Sequence, residues 1–297
     1  MVVRSALFAP ANHRRHAEKA LTGNADIAIL DLEDAVARDE KVRAREDVRA
    51  LLRGRTVRRP QAYVRINGLE TGLTFGDLEA VVVPGLDGIV LPKVEDARQV
   101  AIVDFLLTEF EQRQGLAPGT VAILPVVETA RGLMQLEAIG QASARVRRLS
   151  FGAGDFTLDT SMAWEVGQLG VRWAMVQLVV VSRALGLDPP LDTVFPNLED
   201  LDGLAEEARW AKSVGCQGKT CIHPRQVDVV NAIFTPTPDE VAWAEEVVAA
   251  FEAALAAGVA SIRVKGRFVD YPIAERAKRV LAVHRELAER DGEDGQA

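Results

Sequence analysis

The chain is poor in cysteine, in long apolar runs and in clustered positive charge, and each shortage narrows what it does. Of its 297 residues only Cys216 and Cys221 are cysteines, which is neither a disulfide framework nor a zinc pattern. They read as reduced thiols buried in a strand. No apolar stretch approaches the roughly 20 residues that a membrane-spanning helix needs. The net charge is −8, and the basic residues come in short clusters such as Arg58-Arg59 and Arg147-Arg148. A nucleic-acid footprint needs a sustained basic face, so that class is excluded, while local basic patches still suit a phosphorylated cofactor. The first residues, Met1 to Phe8, lack a signal-peptide pattern and run straight into a strand pattern, so a cytoplasmic location is expected. There is no low-complexity segment, and no internal repeat beyond an alternation of strand and helix.

That alternation is the main thing present. Strand-like runs fall at 3–8, 26–31, 62–66, 87–91, 121–127, 147–152, 192–195 and 216–222. Helical patterns at 12–21, 38–52, 73–80, 95–113, 129–140, 157–185, 200–214 and 224–234 follow them. Eight strand–helix units imply parallel strands and right-handed crossovers. Their span matches a closed (β/α)8 TIM barrel, usually about 250 residues, over residues 1–234. An open doubly wound sheet is the competing architecture. Helix 38–52 illustrates the pattern: Val42, Val48, Leu51 and Leu52 recur at helical spacing, Arg38 or Asp39 begins it, and Gly54 ends it in a left-handed position. It reads as a structural helix. Residues 235–297 form an extension. It has a helix at 239–257, a hairpin with Lys265-Gly266 as its turn, a helix from 273 to about 290, and a disordered tail from Asp291. It is expected to act as a lid or an oligomer contact.

In such a barrel the chemistry sits at the carboxyl ends of the strands. Val121–Val127 closes on Glu128, and Arg148–Gly154 closes on Asp155. Two hard oxygen ligands from neighbouring strands, with no histidine or cysteine pair beside them, favour Mg²⁺ or Mn²⁺ over zinc. The alternative for Glu128 is to cap the following helix. Gly152 and Gly154 let the backbone approach a ligand closely. Strand two ends in Asp31, Glu33 and Asp34, too many charges for one ion, so these acids are expected to orient the metal's waters or an arginine. Arg65 tops strand three, where its planar fork suits a substrate carboxylate or an ion pair with the strand-two acids. Strand four ends at Lys93 and Glu95, strand seven at Asn197 and strand eight at His223. His13, Arg14, Arg15 and Lys19, on or before the first helix, meet phosphates or form an exposed face.

Taken together these strings resemble the citrate lyase β-subunit family, within the HpcH/HpaI aldolase and citrate lyase superfamily. The resemblance rests on RSALFAP (4–10), LDLEDAV (30–36), VRIN (64–67), LPKVE (91–95), VETARG (127–132), FGAGD (151–155) and IHPRQ (222–226), and covers nearly the whole chain. One departure is Pro10-Ala11-Asn12, where glycine commonly follows the proline. The resemblance implies an Mg²⁺-dependent barrel enzyme acting on acyl-CoA or acyl-carrier thioesters. Glu128 and Asp155 then hold the metal, with Glu128 and Gly154 also lining the substrate. Arg65 grips the oxo acid, and Lys19 and Lys93 meet the CoA moiety. Phe268–Pro272 resembles a lid segment that carries an acid/base aspartate, here Asp270, into a neighbouring subunit, which implies a homo-oligomer, expected to be a trimer. The expected reaction is retro-Claisen cleavage of citryl-CoA to oxaloacetate and acetyl-CoA. Malyl-CoA or citramalyl-CoA lyase is the close alternative. A CoA-independent metal aldolase producing pyruvate would lack affinity for CoA, and a non-catalytic acyl-thioester-binding protein would need no metal.

Overall fold

The computed structural model describes residues 1–165 and 167–294. These divide into two compact units, one spanning Val3–Phe234 and the other comprising Met1–Val2 with the residues from Thr235 onward. In the first unit eight parallel strands close into a barrel in the order β1-β2-β3-β4-β5-β6-β7-β8. They are β1 (Ser5–Pro10), β2 (Ile27–Asp31), β3 (Gln61–Arg65), β4 (Gly88–Leu91), β5 (Ala122–Val127), β6 (Ser150–Phe151), β7 (Leu191–Asp192) and β8 (Gly218–Cys221). Around them lie α1 (Arg14–Leu21), α2 (Lys41–Arg53), α3 (Thr74–Val81), α4 (Ala97–Arg113), α5 (Ala130–Leu133), α6 (Leu136–Gln141), α7 (Ala153–Asp159), α8 (Leu169–Ala184), α9 (Leu201–Val214) and α10 (Pro224–Phe234). The closed barrel disposes of the open-sheet alternative.

Strand side chains alternate between faces, and here one face is the barrel interior. Ala6, Ile27, Ile29, Tyr63, Val90, Leu124, Val126 and Leu191 pack inside. The intervening residues, including Leu7, Ala28, Leu30, Val64, Ile89, Leu91 and Val127, pack against the helices. Gly88 faces Tyr63 across the β3–β4 pair, and a Cβ there would stand 2.5 Å from the Tyr63 ring. The strand interior therefore takes one large residue where its neighbour takes none.

Several elements differ from the sequence reading. The pattern at 157–185 is two helices, with α7 ending before Thr160 and α8 starting at Leu169, and with Ser161 and Gly167 at φ +57° and +77° between them. The pattern at 129–140 is likewise two short helices, α5 and α6. Helix α2 begins at Lys41 rather than Arg38 or Asp39, and Gly54 ends it at φ −83°, so no left-handed backbone is required. Its buried face carries Lys41, Ala44, Val48 and Leu52, whereas Val42 is exposed. The hydrophobic spacing admitted either residue, and a polar destination for Lys41 decided between them. Cys216 and Cys221 are buried free thiols.

In the second unit a long helix, α11 (Pro238–Ala256), opens with a capping box from Thr237 and Glu240. The hairpin β9 (Ile262–Val264) and β10 (Arg267–Val269) follows, its turn formed by Lys265 and Gly266 at φ +46° and +79°. The last helix, α12 (Tyr271–Asp294), continues into the stretch where the sequence suggested a disordered tail, whose last residues, 295–297, lie outside the described residues. Val247, Phe251, Val264, Val269 and Ala274 form this unit's core. Among the described residues no helix is long and apolar enough to cross a membrane.

One outward-facing strand residue is a wholly buried cation. Lys219 of β8 holds Asp192 of β7 at 2.7 Å and Glu207 of α9 at 2.5 Å. Removing one partner of a buried ion pair strands the others. Lys219→Met is therefore expected to destabilise the first unit by about 3–5 kcal/mol, read as a lower urea midpoint.

Candidate active site at the barrel mouth

The alternation that builds the interior also aims the functional side chains. Asp31 continues the inward series of Ile27 and Ile29, Arg65 follows Tyr63, and Glu128 follows Leu124 and Val126. Each is the next inward position at the carboxyl end of its strand, so the three meet at one mouth.

Arg65 joins the strand-two acids. Its Nε and Nη2 donate to the two carboxylate oxygens of Asp31 at 2.7 and 2.5 Å, a bidentate pair across the β2–β3 register. Its Nη1 lies 3.0 Å from Glu33 Oε2, an ion pair without the alignment of a hydrogen bond. Phe8 of β1 supports the guanidinium from below, 4.9 Å from ring centre to the guanidinium carbon. Burial works against the charge of Arg65, but the hydrogen bond and negative charge of Asp31, with Glu33 and Asp34 behind it, outweigh that and hold the group protonated. Asp31 thus occupies the Nε/Nη2 edge of the fork, while Glu33 and Asp34 stand at Nη1, 3.0 and 3.8 Å away.

Lys93 links both sides of the mouth. It stands at φ +49°, in the left-handed region that costs a side-chain-bearing residue energy. That conformation lets its main-chain N–H donate to Glu128 Oε1 at 2.7 Å while its Nζ reaches Glu33 Oε1 at 2.5 Å. The ammonium is held above its usual range, because the Glu33 hydrogen bond and the charges of Glu33, Asp34 and Glu128 overcome the penalty of burial. For Glu33 burial wins, and its carboxyl lies above the usual range despite Arg65 and Lys93.

Glu128 is almost wholly buried, and among the described residues the main chain of Lys93 is its one hydrogen-bond donor. Burial, with the negative charges of Asp155 and Glu33 nearby, pushes its carboxyl up to about 8. Asp155 lies half-buried in the first turn of α7. A carboxylate so placed lacks a cation of its own and is suited to accept one. Among the described residues no three Asp, Glu, His or Cys side chains group as a complete metal cage. Mg²⁺ needs no such cage, taking one or two carboxylates and leaving its other positions to water and substrate. The donor set therefore fits Mg²⁺ through Glu128 and Asp155.

Gly152 makes room for this arrangement. A Cβ there would lie 2.2 Å from Glu128 Oε2 and 2.8 Å from its Cβ. Gly154 instead faces Trp164, whose ring stands 3.2 Å from where its Cβ would be. The Trp164 contact, not visible in local sequence pattern, forms the wall beside Asp155.

Other candidates are used elsewhere. Lys19 is exposed in the last turn of α1, at the end of the helix away from its strand. His223 accepts the Arg225 N–H on its own Nδ1, and Asn197 accepts the Glu199 N–H, so both serve their own loops. His13, Arg14 and Arg15 are exposed, with Arg14 paired to Glu18. Asp270 belongs to the second unit, where its Oδ1 accepts the Ile273 N–H at the start of α12. The notable omission from the sequence reading is the polar layer behind the acids. Asp77, fully buried in α3, accepts from the backbone and side chain of Asn67, and Arg45 of α2 pairs with it at 2.6 Å. A buried aspartate on the apolar face of a helix is the signal that would have found it.

These features define a (β/α)8 barrel whose mouth gathers buried carboxylates and an arginine. The chain belongs to the HpcH/HpaI aldolase/citrate lyase family, which it matches over residues 4–224. It is 34% identical over 278 residues to the citrate lyase subunit beta of Leuconostoc mesenteroides subsp. cremoris, covering 94% of this chain and 92% of that one. It is 33% identical over 300 residues to an L-malyl-CoA/beta-methylmalyl-CoA lyase of Cereibacter sphaeroides, covering 94% and 93%. The solved structure of CitE from Mycobacterium tuberculosis, in complex with magnesium, acetoacetate and coenzyme A, superposes with a TM-score of 0.76 at 30% identity, covering 95% of this chain and 98% of that one.

Gly152→Ala should drive the Glu128 carboxylate out of place without emptying the core. Calorimetric titration with Mg²⁺ or Mn²⁺ is expected to show at least about tenfold weaker binding than the wild type, as for other losses of ligand support.

Proposed function

We propose that the chain is an Mg²⁺-dependent carbon–carbon lyase that cleaves a 3-hydroxyacyl thioester to an acetyl thioester and an oxo acid, with citryl-CoA as the substrate and oxaloacetate as the oxo acid. The observation that carries this reading is the cation-poor Glu128, buried beside Asp155 and facing a mouth that also presents Arg65. The identity to both a citrate lyase subunit beta and a malyl-CoA lyase supports the thioester class. A magnesium, acetoacetate and coenzyme A complex of a relative supports the cofactor. Malyl-CoA and citramalyl-CoA are the competing substrates.

Glu128 and Asp155 would hold Mg²⁺, which when bound supplies Lewis acidity to the substrate hydroxyl and carboxylate. Arg65 brings positive charge to the oxo-acid carboxylate, and its bidentate pairing with Asp31 fixes the orientation of the guanidinium. Lys93 keeps Glu33 and Glu128 in place and brings positive charge to the rim, where the thioester is expected to enter. Lys19, in the last turn of α1 and away from the strand's carboxyl end, is not assigned a CoA contact. In the cleavage direction the 3-hydroxyl gives up its proton to bulk water as the bond between C2 and C3 breaks. The electron pair goes to the thioester enolate, and Asp270 delivers a proton to its C2. An Asp270 acting from a neighbouring copy, in a trimer, belongs to the same reading.

The deciding assay offers citryl-CoA, malyl-CoA and citramalyl-CoA with Mg²⁺ and with EDTA. Acetyl-CoA release that EDTA abolishes, and that Glu128→Ala loses, is the expected result, and the substrate turned over names the oxo acid. Turnover that survives in Glu128→Ala would show the metal assignment to be wrong. No turnover with any thioester would shift the reading to a CoA-independent aldolase or a binding protein.

The raised carboxyl of Glu128 gives a second expectation. A proton held up to about pH 8 must leave when the metal binds. Mg²⁺ affinity measured without substrate is expected to rise about tenfold per pH unit from pH 6 towards 8, with close to one proton released in buffers of different ionisation enthalpy. For the metal-free fold the sign is opposite. The folded state holds that proton more tightly than the unfolded chain, so stability falls as pH rises from the ordinary carboxylate range to about 8, and Mg²⁺ restores it.

A further inference from the structure

Helix α2 starts with a lysine that runs against two rules at once. A cation at a helix N-terminus opposes the helix dipole. Lys41 is also buried, with only 9% of its surface exposed, although a lysine is almost never buried unless paired. Among the described residues its three donors reach no carboxylate within hydrogen-bonding distance. Its Nζ donates instead to two consecutive main-chain carbonyls, Leu32 O at 2.7 Å and Glu33 O at 2.8 Å.

Those carbonyls belong to the loop that carries the acids. The partners of its polar backbone show how firmly it is tied, among them Asp31 Oδ2, which accepts the Ala35 N–H at 3.3 Å. Leu32 N–H donates to Arg65 O at 2.9 Å. Leu32 O also accepts from Asn67 Nδ2 at 3.1 Å. Glu33 N–H donates to Asp31 Oδ1 at 2.9 Å, and Glu33 O also accepts the Val36 N–H at 3.2 Å. Lys41 alone among these partners touches two successive peptide groups, and so turns both carbonyls to the same side, behind the barrel wall. The Glu33 side chain reaches the other way, to Lys93 and to Arg65. A neutral donor would make the same hydrogen bonds, but the charge has its own use. Burial pulls the Lys41 ammonium below its usual range, and the charges of Asp77, Asp31, Glu33 and Asp34 act against that pull without overcoming it. The ammonium thus offsets, from behind, acids that Arg65 and Lys93 offset from the front.

We propose that Lys41 is a positioning residue of the mouth, fixing the peptide groups of Leu32 and Glu33 so that the Glu33 carboxylate is aimed at Lys93 and Arg65. Its effect on turnover rests on the lyase reading; its effect on the loop does not.

Lys41→Met keeps the aliphatic stem and removes the donors. In the full chain, hydrogen–deuterium exchange at the amides of Glu33 to Val36 is expected to rise at least about tenfold, with α8 and the second unit unchanged. On the substrate that the wild type cleaves, kcat is expected to fall about 10²-fold, the scale of a small misplacement, while KM stays within about twofold because Lys41 touches no substrate. Lys41→Arg, which restores a charged donor, is expected to recover loop protection and most of kcat. Unchanged exchange in the loop of Lys41→Met would overturn the proposal. So would faster exchange spread evenly over the barrel with kcat intact, which is the signature of stability alone. If Lys41→Met does not fold, Lys41→Gln, read in the same way, takes its place. A wild type that cleaves no thioester would defeat the lyase reading and leave the exchange comparison to decide Lys41 by itself.

Discussion

Side-chain parity along a strand is the constraint on which the mouth depends. Because successive residues face opposite ways, closing eight strands commits every second residue to the interior. At the carboxyl ends the same count continues past the last apolar layer. Asp31, Arg65 and Glu128 point inward for the same reason that Ile29, Tyr63 and Val126 do. Slipping any one of these strands by a residue would exchange its charged group for a Leu, Ile or Thr neighbour and turn the charge towards the helices. The core and the site are therefore specified together.

Gathering acids at one mouth creates repulsion that the fold must offset. It does so with three cations arriving from three elements: Arg65 from β3, Lys93 from the loop after β4, and Lys41 from α2. A buried ion pair such as Asp31–Arg65 gives up hydration for both partners, so its main return is geometric rather than energetic. Glu128 is the exception to this balancing. Among the described residues it receives one backbone hydrogen bond and no side-chain ion pair, which leaves it responsive to a bound cation. Lys93 carries the connection between balanced and unbalanced acids, at the cost of a strained backbone.

The parts legible in the sequence are those governed by repetition or by a short contiguous string. Eight apolar runs with helices between them gave the barrel, and each run ending in a charge located Asp31, Arg65, Glu128 and Asp155. What stayed hidden depends on residues distant along the chain. Gly152 matters because Glu128, on the preceding strand, occupies the space its side chain would fill. Lys41 sits in a helix whose apolar spacing works equally well with Val42, and only the carbonyls of Leu32 and Glu33 distinguish them. The split of 157–185 into two helices reflects positive-φ residues inside an otherwise helical composition. Asn197 lies in the loop well beyond β7, which ends at Asp192, and His223 lies just past β8; the side chains of both complete local turns, since the loop after a strand does not fix where its side chains go.

Deeper in the barrel, the meeting of Gly88 with the Tyr63 ring has a consequence for how this interior can change over generations. A methyl group at 88 collides with the ring, while a smaller residue at 63 alone opens a void beside the glycine. Either single step is penalised, and the two together are compatible. The bore of the barrel is thus locked by a two-residue epistatic pair. A descendant with a different interior would reach it through a compensated double substitution and not by gradual change at one position.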